Sequence, residues 1–293
     1  MSYWCKYLSE IDSGQSIELK INNKKYFFFI KDNNFGVKNI NFNQISISTL
    51  IEKDFNDNFE AQLLKYENIK NIYFALQPIL SYDLNFTKSI FLLQSKNYNH
   101  LVDFSLIINL NNNEITLFNN LRQNYKSTIK KEEKKIKVRL INNENIEYSN
   151  NIFEDWITIY SDAIKKADKT ISKDAVKFLK LAIKNKEAII FNAYEKNSIV
   201  GGVLFNMINN IPSYSSAVTI PLENKNNQRY INHFLIWKSI LYFKNNDYKI
   251  LEIDTSCSLN NKNSKQKNIS FFKRGFGAVL YPQHFFSKTI TTK

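Results

Sequence analysis

Three stretches decide the fold: Glu187-Ala188-Ile189-Ile190-Phe191-Asn192-Ala193-Tyr194, then Ser198-Ile199-Val200-Gly201-Gly202-Val203-Leu204-Phe205-Asn206-Met207, then Pro212-Ser213-Tyr214-Ser215-Ser216-Ala217-Val218-Thr219. Each is rich in β-branched and aromatic residues, and the turn formers Glu195-Lys196-Asn197 and Asn209-Asn210 separate them, so they read as an antiparallel meander. Before the meander come a strand, Lys135 to Ile141, and two helices. The first, Ile152 to Lys166, carries Trp156, Ile159, Tyr160 and Ala163 on one side; the second, Ser172 to Asn185, opens on Ser172 as N-cap with Asp174 in its first turn. After the meander the pattern gives a helix over Asn226 to Asn245, a strand from Lys249 to Asp254, and a polar Asn/Lys/Ser loop. A short helix, Ile269 to Arg274, and a last strand, Ala278 to Phe286, follow. Antiparallel strands followed by a helical crossover into a further strand predict a mixed α/β sheet with helices on both faces.

The preceding residues are less regular. Ile115, Leu117, Phe118, Leu121, Tyr125 and Ile129 predict the apolar face of one helix continuing through Lys130. Further back, Ile17 to Ile21 and Lys25 to Ile30 form a hairpin around Asn22-Asn23, and Asp54 caps a helix marked by Phe55, Phe59, Leu63 and Tyr66. Strands are expected at Ile69 to Leu76, Ser89 to Gln94 and Val102 to Leu110. The chain accordingly divides into domains over 1–110 and 111–293, the second the better formed.

Composition bounds the function. The 293 residues are 43% hydrophobic and include 23 Phe and 16 Tyr, which is ample for a core and excludes wholesale disorder. Cys5 and Cys257 are too few for a disulfide framework or a cysteine zinc cluster, and the three histidines (His100, His233, His284) show no ligand spacing, so no metal site is expected. His233 reads as a satisfied structural residue. Apolar runs such as Tyr26 to Ile30 fall far short of the ~20 residues of a membrane helix. The first residues lack the apolar stretch of a signal peptide, so the expectation is a cytoplasmic protein. The net charge is +13, but Asn, Lys and Ile together supply 116 of the 293 residues, a bias that A- and T-rich codons alone can produce. The four Arg residues (Arg122, Arg139, Arg229, Arg274) carry more information than scattered Lys. A phosphate-bearing ligand fits this charge; a nucleic-acid partner is permitted by it.

Two further stretches carry a resemblance. Leu121-Arg122-Gln123-Asn124-Tyr125-Lys126-Ser127-Thr128-Ile129-Lys130-Lys131, leading into Ile136-Lys137-Val138, resembles the start of the second GNAT domain of FemAB-like transferases. Ile269-Ser270-Phe271-Phe272-Lys273-Arg274-Gly275-Phe276-Gly277 is similar to that family's I-x-x-F-K-x-x-F-G run. The resemblance spans roughly Val102 to His284 and implies tandem GNAT-like domains, the first of them degenerate. It implies transfer of an acyl or aminoacyl group to an amino group of a cell-envelope precursor. No cofactor would be held tightly; acyl-CoA or aminoacyl-tRNA would serve as co-substrate. The acceptor would be a small nucleotide- or lipid-linked amine, with tRNA a possible partner. The pattern departs from the family at three points. No glycine lies between Pro221 and Trp237, so the phosphate loop of acetyl-CoA GNATs is missing. Lys173 stands in a segment where peptidoglycan-bridge members carry an Arg, and no helical-hairpin arm is present.

The resemblance implies that Lys273 acts in the transfer step; a cation beside Gly275 and Gly277 suits a place where negative charge develops. Lys273 and Arg274 equally suit the C-terminus of a helix. The segment from Arg122 to Arg139 holds eight cations against Glu132 and Glu133, with Arg122, Lys126, Lys130 and Lys134 four residues apart. That row is either a phosphate-binding face or a solvated one, and Arg122 is the residue that the family motif singles out for phosphate. Asp254, ending its strand, either orients and deprotonates an incoming amine or caps the next segment. Tyr214 is a proton donor or an ordinary strand aromatic, with Ser215 and Ser216 beside it as acceptor contacts. Cys257 has no His partner spacing and reads as an inert thiol. A different class remains open: a catalytically inactive, basic RNA- or partner-binding protein on the same scaffold.

Overall fold

The computed structural model describes residues 15–21, 24–32, 38–45, 59, 61–62, 69–76, 84–166, 170–208, 210–220, 230–254 and 264–289. The chain forms two compact units, Met1–Phe104 with Tyr281–Lys293, and Ser105–Leu280.

The first unit contains β1 (Gln15–Ile21), β2 (Lys24–Asp32), β3 (Lys38–Ile45), β4 (Ile69–Leu76) and α1 (Leu84–Ser95). β1 and β2 form the expected hairpin, closing at Ile21 opposite Lys24, and β3 joins them antiparallel. β3 then runs parallel to β4, with six residue pairs in register from Lys38 opposite Ile69 to Ile45 opposite Leu76. The helix expected after Asp54 falls largely outside the described residues, as do Cys5 and Cys257. Ser89 to Gln94, expected as a strand, is the heart of α1. Phe86, Ser89 and Leu93 are buried at helical spacing, and the Ser89 hydroxyl donates to the Asn85 carbonyl at 2.8 Å. The continuous apolar run Ile90 to Leu93 hid a three-to-four-residue period.

β5 (Asn99–Asn109) and β11 (Val279–Thr289) each cross a unit boundary. The expected division at 110/111 falls at the end of β5 instead of inside it. The last residues belong with the first unit because β11 pairs antiparallel with β4, Phe285 opposite Ala75 through Thr289 opposite Asn71. His100 and His284, which look isolated in the sequence, meet in this unit: Nε2 and Nδ1 share a hydrogen bond of 2.8 Å, and His100 stacks on Phe286. Burial, followed by the neighbouring His100, lowers the His284 pKa to about 4.

The second unit contains α2 (Glu114–Asn119), α3 (Gln123–Glu133), β6 (Ile136–Ile141), α4 (Asn150–Lys165), α5 (Lys173–Lys184), β7 (Ala188–Glu195), β8 (Ser198–Ile208), β9 (Ile211–Thr219), α6 (Ile231–Asn245), β10 (Ile250–Asp254) and α7 (Ser264–Arg274). The meander forms as read, its turns passing through positive φ at Lys196 and Asn210. Ser172 caps α5 by accepting from the Ala175 amide at 3.0 Å. The single helix expected from Ile115 through Lys130 is two, α2 and α3, broken at Asn120-Leu121-Arg122. Leu121 still packs inward at the break, so the apolar pattern runs on although the helix does not.

Strand order in this unit is β5-β10-β9-β8-β7-β6. Neighbours are antiparallel except β9 and β10, which are parallel. Leu106, Ile108, Phe191, Val203, Phe205, Leu251 and Ile253 pack from one face against Phe234, Leu235 and Trp237 of α6 and Leu121, Tyr125 and Ile129 around α3. On β8, Gly202 alternates away from Val203 and sits under Trp156 of α4. A Cβ at Gly202 would lie 2.6 Å from the indole, so only glycine lets this helix settle there. The architecture is a mixed α/β sheet with helices on both faces.

Candidate functional site

β9 and β10 have one described residue pair in register, Ser213 opposite Glu252. The reason they part is local. Ser215 is an extra residue in β9, since Leu204 faces Ser216 while Phe205 faces Tyr214. Ile253 is likewise extra in β10, where Glu252 faces Ile107 and Asp254 faces Leu106. A bulge bends its strand and increases its twist, and here both strands bulge immediately beyond the one pair that holds them together.

Lys273 reaches this place. It lies in the last turn of α7 and is only 7% exposed, with its ammonium over the Tyr214 ring, 4.8 Å from the centroid. A buried ammonium held over an aromatic face is a positioned cation, and it acts more strongly on nearby charge than it would in water. Lys273 and Tyr214, singled out separately in the sequence, are thus brought together.

The corner carrying Lys273 is locked by the other family-like stretch. The Tyr125 hydroxyl donates to the Phe272 carbonyl at 2.9 Å, and the Arg122 amide donates to the Gly275 carbonyl at 2.8 Å. A Cβ at Gly275 would stand 2.3 Å from the Tyr125 ring, and Gly277 has φ +76° with Asn120 packed behind it. Both glycines are therefore fixed by packing or conformation. Burial raises the Tyr125 pKa, in keeping with its use as a donor.

The remaining expected residues are distributed as follows. Arg122, expected to contact phosphate, donates through Nη2 to the Phe271 carbonyl at 3.1 Å and lies 3.8 Å above the Phe271 ring. Lys126 is half-buried one turn along α3, and Arg274 is exposed. Ser215 is the exposed bulge residue. The Ser216 hydroxyl is buried without a hydrogen-bond partner among the described residues. Lys173 is exposed in the first turn of α5, which packs on β7, three strands along the sheet from β10. Asp254 ends β10 in register with Leu106; its side chain lies outside the described residues.

Two residues were missed. Glu252 is fully buried on β10 and accepts from the Ser105 hydroxyl at 3.0 Å. A carboxylate between Leu251 and Ile253 on a short strand was the available signal, and Asp254 drew attention away from it. His233, read as satisfied, is 9% exposed with Nδ1 lacking a hydrogen-bond partner among the described residues. It sits edge-on among Tyr125, Tyr230 and Phe272, and burial above all lowers its pKa to about 4. Among the described residues no group of His, Cys, Asp and Glu could hold a metal ion, and no helix is long and apolar enough to cross a membrane.

No family model matches the sequence, and no curated protein matches it. Solved structures do. FemX superposes with a TM-score of 0.69 at 10% identity, covering 98% of this chain and 90% of that one. The C-terminal domain (DUF2156) of a protein from Agrobacterium fabrum described as a lysylphosphatidylglycerol synthetase gives 0.64 at 8% identity, covering 97% and 86%. L-PGS from Bacillus licheniformis gives 0.60 at 11% identity, covering 99% and 92%. Each match runs through nearly the whole of this chain, first unit included. The chain therefore has a FemX-like fold.

Proposed function

We propose that the chain is an N-acyl- or aminoacyltransferase that passes its group from an activated carrier, acyl-CoA or aminoacyl-tRNA, to an amino group of a nucleotide- or lipid-linked cell-envelope precursor. The observation that carries this reading is the buried Lys273 ammonium over Tyr214, beside strands that part at Ser213 and Glu252. The matched structures support it through their names, FemX and a synthetase of an aminoacylated lipid.

In this reading the acceptor nitrogen forms a bond to the donor carbonyl carbon, and the carbonyl oxygen takes the negative charge. Collapse breaks the C–O bond of an ester or the C–S bond of a thioester, giving an amide and the free carrier. Lys273 faces the oxyanion and stabilises it as it forms. The proton lost by the amine passes through Tyr214 or Asp254 to the departing oxygen or sulfur. No covalent intermediate on the protein is required, which fits an inert Cys257.

The test is mass spectrometry of amine-bearing envelope precursors from cells carrying the wild-type chain or Lys273→Ala. The reading expects a precursor whose mass falls by one acyl or aminoacyl group in the variant; identical precursor masses contradict it.

A further inference from the structure

Phe271 is 65% exposed, although its sequence neighbours Ser270 and Phe272 are both half-buried. At 100° per residue, Lys267, Phe271 and Arg274 fall within one narrow arc of the helix, away from Phe272 and Lys273, and Lys267, Phe271 and Arg274 are all exposed. One side of the Phe271 ring is covered by the Arg122 guanidinium at 3.8 Å, which is fixed there by its bond to the Phe271 carbonyl. Only one of the five guanidinium N–H donors is used in that bond. The arrangement is a flat aromatic surface, backed and held by an arginine, open to solvent, with cations one turn to either side along the helix.

An exposed phenylalanine alone is common and means little. What distinguishes this one is that the ring is immobilised and ringed by positive charge. An apolar partner surface would gain nothing from Lys267 and Arg274 one turn to either side. A planar base attached to phosphate would use every element: stacking on the ring, and ion pairing of phosphate with the flanking cations.

We propose that Phe271, stiffened by Arg122, is a stacking platform for the base of a nucleotide whose phosphates are held by Arg274 and Lys267. The inference rests on the transferase reading in one respect, since it places the nucleotide end of the activated carrier on the outer face of the helix whose inner face presents Lys273. A tRNA 3′ end and coenzyme A share the chemistry of a base joined to phosphate.

The test uses the full chain and fluorescence anisotropy with a short 5′-labelled single-stranded RNA, with coenzyme A and ribose 5-phosphate as competitors. Phe271→Ala is expected to weaken nucleotide binding about five- to a hundred-fold, the range of one lost base stack, while Phe271→Trp preserves it. Because the ring is exposed, neither change should shift the unfolding midpoint. Ribose 5-phosphate, lacking a base, should compete poorly. Competition by coenzyme A identifies a soluble carrier; RNA binding unaffected by coenzyme A identifies a polynucleotide; either supports the platform. Undiminished binding in folded Phe271→Ala, or no binding of RNA or coenzyme A by the wild type, overturns it. Lys273→Ala should bind nucleotide normally, so failure of Lys273-dependent transfer alone removes the transferase reading and leaves the platform standing.

Discussion

Among the described residues the chain contains two parallel strand pairs, and they differ in the length of their register. In the first unit β3 and β4 are registered at six positions; in the second, among the described residues, β9 and β10 are registered at one, Ser213 opposite Glu252. Each pair follows an antiparallel meander and is followed by an antiparallel strand, so the two units repeat one grammar of pairing. The longer pair is irregular as well, its register shifting between Lys38 and Asn39 and between Phe42 and Ile45, yet pairing resumes after each shift. The pair held at one point has a bulge on each strand, and a buried cation arrives beside it. The candidate site, with Lys273 over Tyr214, lies beside the bulged β9 and β10, and a bulge can re-aim backbone and side chains toward a ligand.

Removing the buried Glu252 carboxylate should have the largest effect on stability. Glu252→Ala deprives the fully buried Ser105 hydroxyl of its acceptor and leaves a void, and a loss of about 1–3 kcal/mol is expected from denaturant unfolding. Glu252→Gln, which keeps the shape and an acceptor, should lose less.

Deleting Ser215 tests the comparison itself. Tyr214 already faces Phe205 and Ser216 already faces Leu204, so the deletion leaves every other side chain of β9 on its own face and makes the ladder regular. Transfer activity should fall at least about tenfold while the unfolding midpoint moves little, by the general link between bulges and sites. Retained activity would mean that the interruption is incidental.

A smaller effect is expected from pH. His233 and His284 have folded pKa values near 4, lowered chiefly by burial, against about 6.5 when unfolded. Between these values the unfolded chain binds more protons than the folded one. Stability is therefore complete above about pH 6.5 and declines as pH falls toward 4. The Arg122 guanidinium near His233 acts in the same direction. Urea midpoints at pH 7 and pH 4.5 should show the decline, and His233→Phe should flatten part of it.

Most of the second unit was legible because its strands are dense in Val, Ile and Phe and because α5 opens on a capping serine, Ser172. The pairing of Lys273 with Tyr214 was not legible, since a contact spanning β9 and α7 leaves no mark in local spacing. The same holds for the clamp of Arg122 on Phe271: sequence gave Arg122 a phosphate to hold, and the fold set it on a phenylalanine. α1 was misread because Phe91 and Leu84 are exposed, which blurs the apolar stripe a buried helix would show. Glu252 was passed over because its burial depends on which face of β10 points inward, and Leu251 and Ile253 are buried too.

The most direct measurement is single-turnover consumption of charged tRNA or acyl-CoA, with an amine acceptor, by purified wild type and Lys273→Ala. If the buried ammonium stabilises the oxyanion, the variant should be slower by about a hundred- to a thousand-fold with its fold intact. Equal rates in the two proteins would contradict the account.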